Sequence, residues 1–216
     1  MTGVQTCALP ISNFKMEMTD SFPCIYDRTQ NTSIDPAYFY QDAWCARRVF
    51  ENKPASHVDV ASKVEMVSII SQLIPTTFID IRPLELPLAG LSFKKGSVTD
   101  MPFTDNEVES LSSMCVVEHI GLGRYGDDID SFGSEKAIKE FIRVLKPGGN
   151  LYLSVPIDIE NKIYFNAHRA FTRDYILKIA DRLELAEEKY VYGKNLCDDY
   201  DSKKGFGTGM FHFRKK

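Results

Sequence analysis

The chain has 216 residues, 44% of them hydrophobic, which is enough for one sizeable core and too little for two ordinary domains. A formal net charge of −4 gives no electrostatic reason to expect nucleic acid or an anionic membrane surface as a partner, and no apolar run approaches the ~20 residues needed to span a bilayer. The five cysteines (Cys7, Cys24, Cys45, Cys115, Cys197) are odd in number, scattered and without a C-x-x-C pair. That argues against a disulfide framework or a zinc knuckle and for a reducing, cytoplasmic compartment.

The chain starts with TGVQTCALPI (Thr2–Ile11), which resembles the conceptual translation of a sequencing-library adaptor over all ten residues. Residues 1–11 are therefore set aside from fold reasoning, and the natural start is expected to be missing. Asn13–Ser33 is polar and without periodicity. DPAYFYQDAWCARRVFEN then reads as a helix, with Asp35 as N-cap and Pro36 at its first position. Its aromatic residues form a broad packing face, and residues 12–55 are expected to be an extension whose helix packs on the main domain, 56–216.

From His57 onward strands and helices alternate. HVDVA is a β-rich run, and KVEMVSIISQLI places Val64, Val67, Ile70, Leu73 and Ile74 at helical spacing. TTFIDI, LSFKK and SLSSMCVV give strands two to four. SEKAIKEFIRVLK is an amphipathic helix with Ser134 expected at its N-cap, stopped by Pro147-Gly148-Gly149, and NLYLSV is strand five. TRDYILKIADRL is a further helix, before LAEEKYVY and GMFHF. The alternation predicts an α/β fold: a doubly wound, mostly parallel, seven-stranded sheet, with the last two strands pairing as an antiparallel hairpin at one edge.

Gly121, Gly123 and Gly126 have the G-x-G-x-x-G spacing of a dinucleotide loop. They follow the fourth strand instead of the first, and lead into Asp127, Asp128 and Asp130, which would repel a pyrophosphate. The spacing is read as a tight turn of an acidic loop beside a pocket, not as a phosphate loop. The informative residues are acids. Asp59 ends strand one, Asp80 ends strand two about 20 residues later, where a ribose diol binds in such sheets, and Asp100 follows strand three with Met101 beside it.

With VLKPGGNLYLSV, this constellation resembles the class I S-adenosylmethionine-dependent methyltransferases from about Ser56 to the C-terminus. The resemblance implies that Asp80 binds the ribose hydroxyls, that Asp100 binds the adenine amino group, and that Lys146–Gly149 form the turn before strand five. YFYQDAWCARRVF, HVDVAS, IDIRPLELP, VEHIGLGRYGD and YFNAHRAF look more closely like the bacterial domain-of-unknown-function family 268, often associated with surface-polysaccharide genes. The sequence departs from the methyltransferase pattern at strand one, where Ala61, Lys63 and Glu65 replace three glycines. Ala61 is still expected at the cofactor, and Lys63 either binds its methionine carboxylate or blocks the site.

Methyl transfer asks the protein to align an acceptor and, for a hydroxyl, to remove a proton. The candidate bases are Glu118, His119 and His168, and Arg169 is a candidate clamp for an acceptor anion or a partner for a surface acid. No ligand spacing for a metal occurs, so none is expected. These residues imply a methyltransferase using S-adenosylmethionine on a small or glycan-related acceptor. The alternative is a non-catalytic binding or scaffold protein of the same fold in surface-polysaccharide biosynthesis.

Overall fold

The structure is a computed structural model that describes residues 17, 19, 22–24, 26, 28–165 and 167–216. The adaptor-like segment lies outside the described residues. The chain divides into a unit up to Asp35 and a second unit, Pro36–Lys216. In the first unit the Thr29 hydroxyl donates to the Asn31 carbonyl at 2.6 Å. The second unit holds the main sheet.

Its elements are α1 (Pro36–Asn52), β1 (His57–Val60), α2 (Val64–Ser71), β2 (Thr76–Asp80), β3 (Leu91–Lys95), β4 (Val108–Met114), α3 (Gly133–Val144), β5 (Leu145–Ile157), β6 (Lys162–Tyr164), β7 (His168–Ala170), α4 (Arg173–Ile179), β8 (Leu183–Tyr192), β9 (Asn195–Cys197) and β10 (Gly207–Lys215). The main sheet has the order β3-β2-β1-β4-β5-β10-β8-β9. β1 to β5 pair in parallel. β10 runs antiparallel between β5 and β8.

The seven expected strands are all present, and the last two do form an antiparallel hairpin. That hairpin does not end the sheet, however. β10 inserts beside β5, and the short β9 pairs antiparallel with β8 to make the edge. β9 and the small β6–β7 hairpin were not foreseen, because three-residue strands carry too little alternation to read.

The two faces of the sheet are sealed by different clusters. Period-two alternation sends Val58, Val60, Leu111, Leu151 and Leu153 to one side, where α3 contributes Ala137, Ile138, Phe141 and Ile142. On the other side Trp44, Cys45 and Val49 of α1 pack with Met66, Val67 and Ile70 of α2 and with Phe78 and Tyr152 of the sheet. Val64 of α2, and Leu73 just beyond its end, face solvent while Met66 and Ser71 are buried, so the buried face is rotated from the expected one. Glu187 of β8 ties α1 down, accepting from Arg48 Nε at 2.5 Å, Arg48 Nη2 at 2.6 Å and Trp44 Nε1 at 3.3 Å.

Ser134 does not cap α3. The helix starts two residues earlier than expected, with Phe132 at the cap position, and the buried Ser134 hydroxyl donates to the Val117 carbonyl at 2.7 Å. Thr172 is a true cap of α4, its hydroxyl accepting from Tyr175 N at 3.2 Å.

Candidate functional site

In an open α/β sheet a crevice forms at the carboxyl ends of the strands where the strand order reverses. Here the chain runs outward from β1 through β2 to β3 and then crosses back to β4, so the reversal lies between β1 and β4. A cleft of about 580 Å³ opens there, within the range of small-molecule sites. It is lined from β1 by Val60 and Ala61, and from β2 by Ile79 and Asp80 with the following Arg82. Gly96–Thr99 line it after β3, and Cys115, Val116, His119 and the loop to Asp130 line it after β4.

Of the three expected acids, Asp80 lines the cleft. As the last residue of β2 it reaches over the strand end, and it is only 6% exposed. Its Oδ1 accepts from Arg82 N at 2.8 Å and Arg82 Nε at 3.1 Å, and its Oδ2 accepts from Arg82 Nη2 at 3.0 Å. Ala61 also lines the cleft, at φ +54°, a left-handed conformation that a side chain makes costly by ~1–2 kcal/mol. Its N–H donates to the Ile79 carbonyl at 2.8 Å, which fixes the turn out of β1 against β2.

Asp59 does not reach the cleft, and this corrects the sequence reading. Strand alternation turns His57 and Asp59 toward the face covered by α1, where Ser112 of β4 stands directly beside Asp59. The chain of bonds runs from the Ser110 hydroxyl to His57 Nδ1 at 2.8 Å, then from His57 Nε2 to Ser112 Oγ at 2.8 Å. Ser112 donates in turn to Asp59 Oδ2, and Ser62 N donates to Asp59 Oδ1 at 3.1 Å. With Asp59 ionised, Ser112 gives its only proton to it, and His57 then donates from Nε2 and accepts at Nδ1. Burial pushes Asp59 up to about 7, against the bonds from Ser112 and Ser62, and pulls His57 down to about 3. The group is a satisfied structural network.

Asp100 and Met101 also lie outside the cleft. The turn after β3 closes with Asp100 N donating to Ser97 O at 3.2 Å, so Ser97, Val98 and Thr99 face the cleft and Asp100 faces solvent. Met101 is buried in the core, its N–H bonded to Glu140 Oε1 at 2.7 Å. Lys63 neither lines nor blocks the site. Its ammonium sits 3.3 Å from the centre of the Tyr38 ring.

The candidate bases come together although 49 positions separate two of them. His119 lines the cleft, and its ring lies 6.2 Å from that of His168 and 5.6 Å from that of Tyr125. Its Nδ1 lies 2.8 Å from the Ala167 carbonyl, which can only accept, and 3.3 Å from Arg124 Nη1, which can only donate. The shorter contact favours the proton on Nδ1 and leaves Nε2 as the basic nitrogen. Arg124 Nη1 donates to the same carbonyl at 2.8 Å. Burial above all, with Arg124 and His168 adding to it, lowers His119 to about 4. Glu118 lies behind it, with Oε1 3.7 Å from His119 Nε2 and Oε2 buried without a partner among the described residues. Burial raises Glu118 to about 8, so it holds its proton at neutral pH. His168 does not line the cleft. Its buried Nε2 has no partner among the described residues, and burial lowers its pKa.

The glycine loop has the role expected of it. A Cβ on Gly121, at φ +79°, would stand 2.1 Å from the Asp130 carbonyl oxygen, a contact only glycine avoids. Asp127 closes the turn by accepting from Gly121 N at 2.6 Å and Tyr125 N at 3.2 Å. Arg169 is neither an acceptor clamp nor a partner for a surface carboxylate. It is buried and staples the loop through the Ile120 carbonyl at 2.5 Å and the Asp130 carbonyl at 3.0 Å. Sequence reasoning passed over Arg82, Ser97, Cys115 and Tyr125 as lining residues. Only Arg82 carried a signal, standing two residues after Asp80 where an Asx turn pairs them.

Among known proteins, a family described as "Caenorhabditis protein of unknown function, DUF268" matches residues 98–180. The chain is 26% identical over 133 residues to a demethylmenaquinone methyltransferase of Chlorobaculum parvum, an alignment covering 59% of this chain and 50% of that protein. It thus spans half the length of this curated relative. The crystal structure of the cyclase SpnF superposes with a TM-score of 0.66 at 15% identity, covering 88% of this chain and 85% of that one. The N-methyltransferase NodS of Bradyrhizobium japonicum, solved with S-adenosyl-l-homocysteine, gives 0.58 at 12% identity, covering 84% and 88%. The fold is that of the class I S-adenosylmethionine-dependent methyltransferases.

The residues present fit an adenosyl cofactor of that kind. The cleft lies at the reversal of strand order. Asp80 presents both carboxylate oxygens to a fork of two N–H donors, the same pattern that two vicinal hydroxyls would offer. Among the described residues no cluster of His, Cys, Asp or Glu has the makings of a metal site, and no helix is long and apolar enough to cross a membrane.

Proposed function

We propose that the chain is an S-adenosylmethionine-dependent methyltransferase acting on a small or glycan-related acceptor. The observation that carries this reading is Asp80, a nearly buried carboxylate at the end of β2, facing the cleft at the reversal of strand order. Asp80 would hold the ribose, with Ala61 and Ser97–Thr99 as the walls around it. When bound, the cofactor supplies a methyl group on a sulfonium, which needs alignment more than activation.

The acceptor belongs on the His119 side. His119, kept neutral and with Nε2 unprotonated, takes the proton of an acceptor hydroxyl. Glu118 lies behind that nitrogen at 3.7 Å, beyond hydrogen-bond distance. The loop from Gly121 to Asp130, tied down by Arg169, forms one wall on that side.

A second reading, a non-catalytic binding or scaffold protein of the same fold in surface-polysaccharide assembly, draws support from Ala61. A residue with a side chain stands in a left-handed conformation where the methyltransferase pattern has glycine. The fold alone does not decide, since the likeness to SpnF is to a cyclase.

Calorimetric titration with S-adenosylmethionine, S-adenosylhomocysteine and NAD separates the readings. The first two should bind and NAD should not. Asp80→Ala should weaken both by about tenfold to a hundredfold, the value of charge-assisted bonds of ~1.5–3 kcal/mol. No binding at millimolar cofactor would leave the non-catalytic reading in place.

A further inference from the structure

We propose that Arg82 is an internal competitor for the ribose site, so that cofactor enters only as the Arg82 side chain leaves Asp80. This rests on the cofactor reading above. An ionised carboxylate offers about four lone-pair positions, two on each oxygen. Arg82 fills three of them: its N–H and Nε both point to Asp80 Oδ1, at 2.8 and 3.1 Å, and Nη2 points to Oδ2 at 3.0 Å. One position remains, on Oδ2. A vicinal diol needs a position on each oxygen, so it cannot dock while Nε holds Oδ1.

The competitor is built to move. The Arg82 side chain is 64% exposed while that of Asp80 is 6% exposed, so the guanidinium can swing into water without breaking the core. Its backbone N–H bond to Oδ1 stays and keeps the carboxylate aimed at the cleft. Arg82 also reaches across the cleft. Its guanidinium carbon is 5.3 Å from the centre of the Tyr125 ring, on the loop that follows β4. Arg124 lies 5.2 Å from the same ring and bonds the Ala167 carbonyl beside His119. Arg82 is thus a strap from the ribose side to the acceptor-side loop, and releasing it opens the mouth of the cleft. The apparent affinity is then lowered by the fraction of molecules in which the strap is closed.

The test is calorimetric titration of S-adenosylhomocysteine into the full chain, with melting temperature recorded for each variant. Arg82→Ala should bind about twofold to fivefold more tightly than wild type, the upper range of a partly exposed ion pair. Arg82→Gln, which can donate to only one oxygen, should fall between the two, and it serves if the bare carboxylate of the alanine variant harms folding. In an Asp80→Ala background, Arg82→Ala should change nothing. Weaker or unchanged binding by both Arg82 variants would overturn the proposal, and weaker binding would make Arg82 a contact of the ligand. An equal gain without Asp80 would overturn it too. If no form binds, the cofactor reading itself fails, and the competitor with it.

Discussion

Asp59 and Asp80 lie near the carboxyl ends of adjacent parallel strands, Asp59 level with Phe78 and so two positions deeper than Asp80, and they meet opposite fates. Asp59 is fully buried under α1, bonded to Ser112 and Ser62, and pushed up to about 7 by desolvation. Asp80 is nearly as buried, yet it faces a cleft of about 580 Å³ and is held by a side chain that is mostly in water. The difference lies in what stands over each strand end. Asp59 points to a sheet face that α1 covers, and its partners are permanent. Asp80 overhangs the edge, and its side-chain partner is exchangeable. A shift of two positions along the strand makes the same residue type a structural element in one strand and a cleft-facing group in the next.

The largest effect that can break this contrast is on stability. Asp59→Ala leaves Ser112 and the Ser62 N–H without their acceptor in a buried setting and should cost ~2–4 kcal/mol in urea unfolding. Asp80→Ala should cost under ~1 kcal/mol, because Arg82 can turn to water. Equal losses would mean that Asp80 too is structural. The contrast also has a pH signature. A carboxyl whose folded pKa is raised favours folding at low pH. Its contribution is lost as pH rises from the unfolded value, 3.8, to about 7. Measured against Asp59→Asn, wild-type stability should therefore fall over that window and level off above it. A flat difference would show that Asp59 is ionised in the fold. His57 acts in the opposite direction, losing stability as pH falls from 6.5 toward about 3, and it cancels in this comparison provided the substitution leaves it undisturbed.

Smaller effects sharpen the picture around the cleft. Ala61→Gly relieves a side chain at φ +54° and should raise stability by up to ~1 kcal/mol while tightening the cofactor severalfold. Weaker binding by that variant would show that the Ala61 methyl group is itself a contact. The smallest expected change is at Asp100, which faces solvent outside the cleft. Asp100→Ala should leave cofactor affinity within twofold of wild type, and a tenfold loss would restore it to the adenine site.

Much of this was legible in the sequence. The runs HVDV and TTFID are rich in β-branched residues, LSFKK is bounded by Gly90 and Gly96, and helical segments precede β2 and β5, which is why the parallel half of the sheet and the fold class could be read. Asp80 was legible for the same reason, since a strand end is a position that sequence locates well. Asp59 was misplaced because its fate depends on α1, a helix that arrives from an earlier segment and that no local pattern brings to β1. Asp100 was misplaced by a tight turn, which presents Ser97–Thr99 and turns the acid away. His119 and His168 were both named, but their 6.2 Å approach needs the β6–β7 hairpin, which is too short to show in the pattern. Arg169 looked like an acceptor clamp because a buried arginine bonded to carbonyl groups has the same sequence as an exposed one.

The account depends most on where the cofactor sits. Amide-resolved NMR of the uniformly labelled chain, titrated with S-adenosylhomocysteine, tests this directly. Shifts should concentrate at Ala61, Asp80–Arg82, Gly96–Thr99, Cys115–Val116 and His119–Gly121, and they should be small at Asp100. A depression bordered by Arg48, Glu51, Glu187 and His212 provides the control. Shifts gathered there, or none at the Asp80 turn at saturating ligand, would contradict the assignment.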